Sequence, residues 1–240
     1  MEIWHSRAQL SYDVELLVPM FGLASTTVQN IEILYSTFSK RFPVTLANIQ
    51  VGTGTTINEY VIKLTLFNGL GTIEVRLDSY HAHFNNLISD QDVEVAVECL
   101  SLLESAASSL LKSAVRTRTK AVLASWYSCE GGIDAVRANF SRHSPKDIGI
   151  EVGFEAASEI QFSINGSVGN PEELWSMIFI IEPSTIENAG HLFSRFEGRY
   201  LQGGKYNTLD ERRTHFNQLH HALLKASGFE LQINDSANGE

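Results

Sequence analysis

The chain runs twice through one order of elements: a strand, an amphipathic helix, a group of alternating strands, then a long closing helix. The first pass covers about Ala8 to Ala114 and the second about Lys120 to Gly228. Runs of antiparallel strands closed by a helix bury one face of a sheet beneath that helix. The repeated order therefore limits the architecture more than the composition does.

In the first pass Gln9 to Phe21 alternates as a strand. Leu10, Tyr12, Val14, Leu16 and Val18 share one face, and Ser11, Asp13 and Glu15 share the other. Ser25 or Thr26 can cap a helix whose apolar stripe is Val28, Ile31, Tyr35, Phe38 and Phe42, and Pro43 stops it. Strands follow over Val44 to Val51 and Ile57 to Phe67. Asn68-Gly69 then gives a hairpin signal, because both residues tolerate positive φ. Ile73, Val75 and Leu77 alternate with polar neighbours on the return strand. Ser89 with Asp92 resembles a capping box, and Val93 to Ala114 reads as the long helix.

The second pass opens with a strand over Ala121 to Tyr127, a break at Gly131-Gly132 and a short helix ending before Pro145. Ile150, Val152 and Phe154 alternate, as do Ile160, Phe162 and Ile164, with a turn expected at Asn165-Gly166. Asn170 to Glu173 is expected to form one helical turn before the apolar run Met177 to Ile181, a central strand. His191 to Leu201 is a further strand. Thr208 and Glu211 cap the final helix, and Gly228-Phe229 suits a Schellman stop.

The expected class is α+β: antiparallel sheets each packed by a long helix, in two similar strand-helix-strands-helix halves. The halves are 1–116 and 117–230, meeting at Arg116 to Lys120, and the polar end, 231–240, is expected to be a disordered tail. Residue identity between the halves is poor, so the duplication rests on pattern.

Of 240 residues, 43% are hydrophobic, enough for one large core or two small ones. The net charge is −10, with 9 basic and 12 acidic residues in 1–120 and 9 against 16 in 121–240. Neither half carries the basic footprint that neutralises phosphates, so nucleic acid is not an expected partner. The N-terminal residues lack a secretory pattern, and no apolar window of about 18 residues suggests a membrane span. Cys99 and Cys129 are expected to be buried, reduced thiols. The expected location is cytoplasmic.

Candidate sites are few. Gly52-Thr53-Gly54-Thr55-Thr56 lacks the third glycine and the following helix of a dinucleotide loop, and Gly203-Gly204-Lys205 lacks the rest of a P-loop. His81 and His83 would share one face of an unbroken strand, the geometry of a two-histidine metal clamp, with His191, His215, His220 or His221 as a distant third ligand. The parity of Ile73, Val75 and Leu77 would turn that pair inward. His215, His220 and His221 otherwise read as a partly exposed helix flank. Ser167 imitates a nucleophile elbow without its spacing. Cys129 precedes a helix start, where a thiolate is stabilised, although a buried strand-end cysteine explains it more simply. Asp13 and Glu15 read as a solvated strand face. Lys112, Arg116, Arg118 and Lys120 form a basic cluster that suits a helix C-terminus.

Leu10 to Val18, and the helix ending Phe38-Ser39-Lys40-Arg41-Phe42-Pro43, resemble a sporadically distributed bacterial family of similar length, built from strand-helix-strands-helix units. Its members have no assigned activity, and some occur near mobile or defence genes. The resemblance implies an accessory role in bacterial defence or stress and assigns no functional residues.

The leading expectation is thus a non-enzymatic interaction protein with a protein partner or self-association, no cofactor and no membrane. The alternative is a small-molecule binding protein, its ligand held between sheet and long helix by Tyr80, Phe84, Phe154 and Phe162. A metal-dependent hydrolase around His81 and His83 is the third.

Overall fold

The computed structural model describes residues 1–52, 56, 59–111, 114–142, 155–160, 163–184, 186 and 188–232. In chain order the elements are β1 (Glu2–Leu16), α1 (Gly22–Ser25), α2 (Thr27–Phe38), β2 (Ile49–Gly52), β3 (Val61–Leu66), β4 (Gly71–Arg76), β5 (Ser79–Leu87) and α3 (Asp90–Leu110). There follow β6 (Arg116–Ser128), α4 (Gly132–Phe140), β7 (Glu155–Ile160), β8 (Ser163–Asn170), β9 (Trp175–Pro183), β10 (Leu192–Leu201), α5 (Leu209–Ala226) and β11 (Glu230–Gln232). The class is α+β with extensive antiparallel pairing. Two compact units emerge. The larger contains Met1–Gln9, Asn86–Val93 and Val122–Glu240, and the smaller contains Leu10–Asn85 and Glu94–Ala121.

In the smaller unit the strand order is β2-β3-β4-β5-β1-β6. Ile62 faces Val75 and Leu64 faces Ile73 across β3 and β4, and all four are buried. Phe67, Asn68 and Gly69 take positive φ in the connection, as the Asn-Gly signal predicts. Gly71 starts β4 because a Cβ there would lie 2.9 Å from the Phe84 ring. Helix α2 buries Asn30, Leu34 and Phe38, whereas Val28 of the expected stripe is exposed. The polar Asn30 fits that face because its Nδ2 donates to the Leu23 carbonyl at 2.8 Å, closing the end of α1. Helix α3 buries Ala96, Cys99, Leu100, Leu103, Ala106 and Ala107. Arg116 to Lys120, expected as a seam, instead forms the start of β6.

In the larger unit the order runs β6-β10-β9-β8-β7, and β11 pairs in parallel with Glu2–Trp4 of β1. Asn165 and Gly166 do not turn. They lie inside β8, paired with Ile180 and Phe179. The chain reverses at 171–174, where Asn170 Oδ1 accepts from the Glu172 and Glu173 N–H groups and Leu174 takes positive φ. An Asx turn thus replaces the single helical turn expected there. Helix α5 buries Phe216, Leu223 and Leu224, and Phe216 meets Phe196 of β10 at 4.6 Å between ring centres.

A polar pocket beside the Cys129–His191 pair

Three segments of the larger unit build a pocket: the end of β6, the first turns of α4, and the loop that leads into β10. His191 N–H donates to the Tyr127 carbonyl at 2.7 Å, and Ser184 N–H donates to the His191 carbonyl at 2.9 Å. These bonds pin the loop to the end of β6. Gly190 makes the approach possible, because its φ is +140° and an added Cβ would sit 2.8 Å from the Tyr127 oxygen.

The His191 ring is held by the same backbone. Cys129 N–H donates to Nδ1 at 3.2 Å, so Nδ1 acts as acceptor and the proton of the neutral ring resides on Nε2. Among the described residues Nε2 has no hydrogen-bond partner. Cys129 Sγ donates to the Gly132 carbonyl at 3.4 Å and lies 4.0 Å from Nδ1. Burial pushes the thiol above its ordinary value, which keeps it protonated and argues against a thiolate nucleophile. The pocket beside this pair has a volume of about 510 Å³ and is lined by Ser6, Ser128, Ile133, Arg137, Ser184, Ile186, Asn188, Gly190 and His191. The side chains of Ser6, Ser128 and Asn188 have no hydrogen-bond partner among the described residues. Nothing singles these residues out in the sequence except Cys129-Glu130-Gly131-Gly132 and His191, and Cys129 and His191 lie 62 positions apart along the chain.

The other candidates are placed elsewhere. His81 and His83 do not point inward: His81 is half-buried and His83 exposed, while Ala82 and Phe84 carry the buried parity. The pairing of Ile73 with Ala82 and Val75 with Tyr80 joins odd residues of β4 to even residues of β5, so the turn between them switches the buried parity. His81 Nδ1 lies 2.7 Å from Asp13 Oδ1 and its Nε2 2.9 Å from Ser79 Oγ. Among the described residues no group of three or more His, Cys, Asp or Glu could hold a metal ion.

Tyr80 and Phe84 are closed into the core of the smaller unit. Tyr80 and Tyr12 both donate to Glu104 Oε1, at 3.0 and 2.6 Å, and Arg116 binds Oε2 at 2.6 Å. Burial raises the Tyr80 phenol above its ordinary value, so it stays a donor. Phe154 and Phe162 lie outside the described residues, as do Thr53 to Thr55, Lys112 and the expected tail from 233 onward. Glu15 forms an ion pair with Arg118, while Asp13 contacts His81, so the two carboxylates serve separate partners.

His215 and His220 are not a partly exposed flank; both are buried on the inner side of α5. His215 stacks on Tyr206 at 4.0 Å and meets Trp175 at 4.5 Å. His220 Nε2 lies 3.4 Å from the Tyr127 hydroxyl and 3.5 Å from Ser194 Oγ, its ring stacked on Phe196. Burial lowers them to about 4 and about 3, so both rings are neutral. Ser167 is an exposed residue of β8, and Lys205 is tied to Glu173 at 2.7 Å. Among the described residues no helix is long and apolar enough to cross a membrane.

No family model matches the sequence, and no curated protein matches it significantly. Among solved structures, a Methanococcus jannaschii TBP overlaps 94% of this chain and 99% of its own, at 9% identity and a TM-score of 0.27. A rolling circle replication initiator protein from Geobacillus stearothermophilus overlaps 93% of this chain and 85% of its own, at 10% identity and a TM-score of 0.31. Overlaps at these scores carry no argument about fold or activity.

Proposed function

We propose that this is a small-molecule binding protein whose ligand occupies the pocket of the larger unit. One observation carries the reading: polar groups with no partner among the described residues converge on one concavity, namely Ser6, Ser128, Asn188 and the His191 Nε2–H. Its volume of about 510 Å³ falls within the range of roughly 300–1,000 Å³ usual for ligand pockets. The binding site therefore moves away from the Tyr80 and Phe84 region, where the side chains are packed on one another.

A protein-interaction role, including an accessory role in bacterial defence or stress, is the second reading. It is favoured by Leu17, Val18, Phe21 and Val28 of the smaller unit, which are 62–72% exposed within a short stretch of chain. Native mass spectrometry of protein purified from its own host separates the two. A small molecule retained by the wild type and lost in Ser128→Trp, which fills the pocket, is the expected result. A stable partner chain with no retained small molecule would transfer the assignment to the interaction reading.

A further inference from the structure

We infer that the ligand of this pocket presents an oxyanion, a carboxylate or a phosphate, and that Arg137 and the His191 Nε2–H are its recognition groups. The inference rests on the pocket being a binding site, and it assigns the chemical class of what binds there.

The chain has 28 acidic residues against 18 basic ones, yet among the described residues no Asp or Glu lines the pocket. What the walls offer instead is a guanidinium, an imidazole and small neutral polar side chains. The imidazole is fixed in one role. Cys129 N–H occupies Nδ1 from behind, so the neutral ring can present only a donor at Nε2. A ligand atom meeting that edge must accept. Arg137 is similarly available. Among the described residues its one ion pair is with Asp134, three residues earlier on α4, at 3.4 Å, with side chains 51% and 88% exposed. Exposed pairs of this kind contribute little, so turning the guanidinium toward a ligand forfeits almost nothing. A guanidinium and a neutral N–H donor together match two oxygens of one planar or tetrahedral anion. The volume exceeds what an inorganic ion fills, so the anion is carried on an organic body that reaches Ile133 and Ile186.

The test is titration calorimetry in a non-anionic buffer, with inorganic phosphate, succinate and glycerol as probes, alongside amide chemical shifts of Ser128, Gly132, Asn188 and His191. Wild type is expected to bind phosphate, succinate or both, with shifts at those four amides, and not glycerol. Arg137→Ala is expected to weaken binding about tenfold or more, because charge-assisted hydrogen bonds are lost. Arg137→Lys should restore part of it. Arg137 is an exposed helix residue, so neither variant threatens folding. Phosphate-selective binding assigns a phosphoryl ligand, and succinate-selective binding a carboxylate. If glycerol shifts the same amides as strongly as the anions, or Arg137→Ala binds them unchanged, the oxyanion assignment is overturned while the pocket survives. If no probe shifts those amides, the pocket reading itself fails.

Discussion

At the scale of single residues, a hairpin decides where a side chain goes, and His81 shows how. Numbering parity carried across the Leu77–Asp78 turn places His81 and His83 inside; the true register, with Glu74 beside His81 and Thr72 beside His83, places them outside. The two positions then differ in what they contact. His83→Ala should change stability by less than about 0.5 kcal/mol, as an exposed substitution does. His81→Ala should cost about 1 kcal/mol, because it removes the contacts to Asp13 and Ser79. Urea denaturation of both variants checks this, and an equal, large loss at both sites would revive the inward reading. The sequence holds the alternation of β4 and β5 but not the register that joins them, since register depends on turn length. The pocket was illegible for a related reason. Ser6 and Arg137 look ordinary along the chain, His191 reads there only as a distant metal ligand, and the hydrogen bonds of His191 to Tyr127 and Ser184 are what hold it at the end of β6.

At the scale of elements, local chemistry was readable wherever a few adjacent residues determine the outcome. The ends of α5 are the clearest instance. Thr208 Oγ1 accepts from Glu211 N–H at 3.2 Å, while the Glu211 carboxylate accepts from Thr208 N–H at 2.9 Å, a reciprocal capping box. At the other end Phe229 N–H reaches the Leu224 carbonyl and Gly228 N–H the Lys225 carbonyl, with Gly228 at φ 83°, the Schellman pattern. Ser89 and Asp92 cap α3 in the same reciprocal way, with Asp in place of the usual Glu. Thr208→Ala should therefore destabilise the larger unit by about 1 kcal/mol, with faster amide exchange confined at first to the opening turn of α5. Exchange that rises evenly along the helix would contradict a capping role. Asn165-Gly166 marks the boundary of such readings. The dipeptide tolerates a turn but does not compel one, and its pairing with β9 outweighs the local preference.

For the whole molecule, the α+β class was legible because it follows from the order of strands and helices. The composition of the units was not. Each is assembled from separated stretches of chain, the smaller from Leu10–Asn85 with Glu94–Ala121, whereas a reading along the sequence groups only consecutive elements. Buried histidines likewise escape a stripe of apolar residues, and they set the acid response of the larger unit. His220 and His215 have folded-state values of about 3 and about 4, against 6.5 for the unperturbed ring, because burial disfavours the imidazolium. The unfolded chain therefore binds protons that the folded chain refuses. Their contribution is at its full value above pH 6.5 and falls as acid is added, by about 1.4 kcal/mol per pH unit for each ring. Lowered carboxylates such as Glu211 act in the same direction, but only at and below their own range near 4.5. The window from pH 6.5 to 4.5 thus isolates the histidines. Urea midpoints of the larger unit should fall steadily across it, and His220→Phe should make the slope shallower by about one proton's worth. A wild-type midpoint that stays level across that window would mean that the two rings titrate normally, and that the packing of Tyr127, Ser194 and Phe196 around His220 admits water.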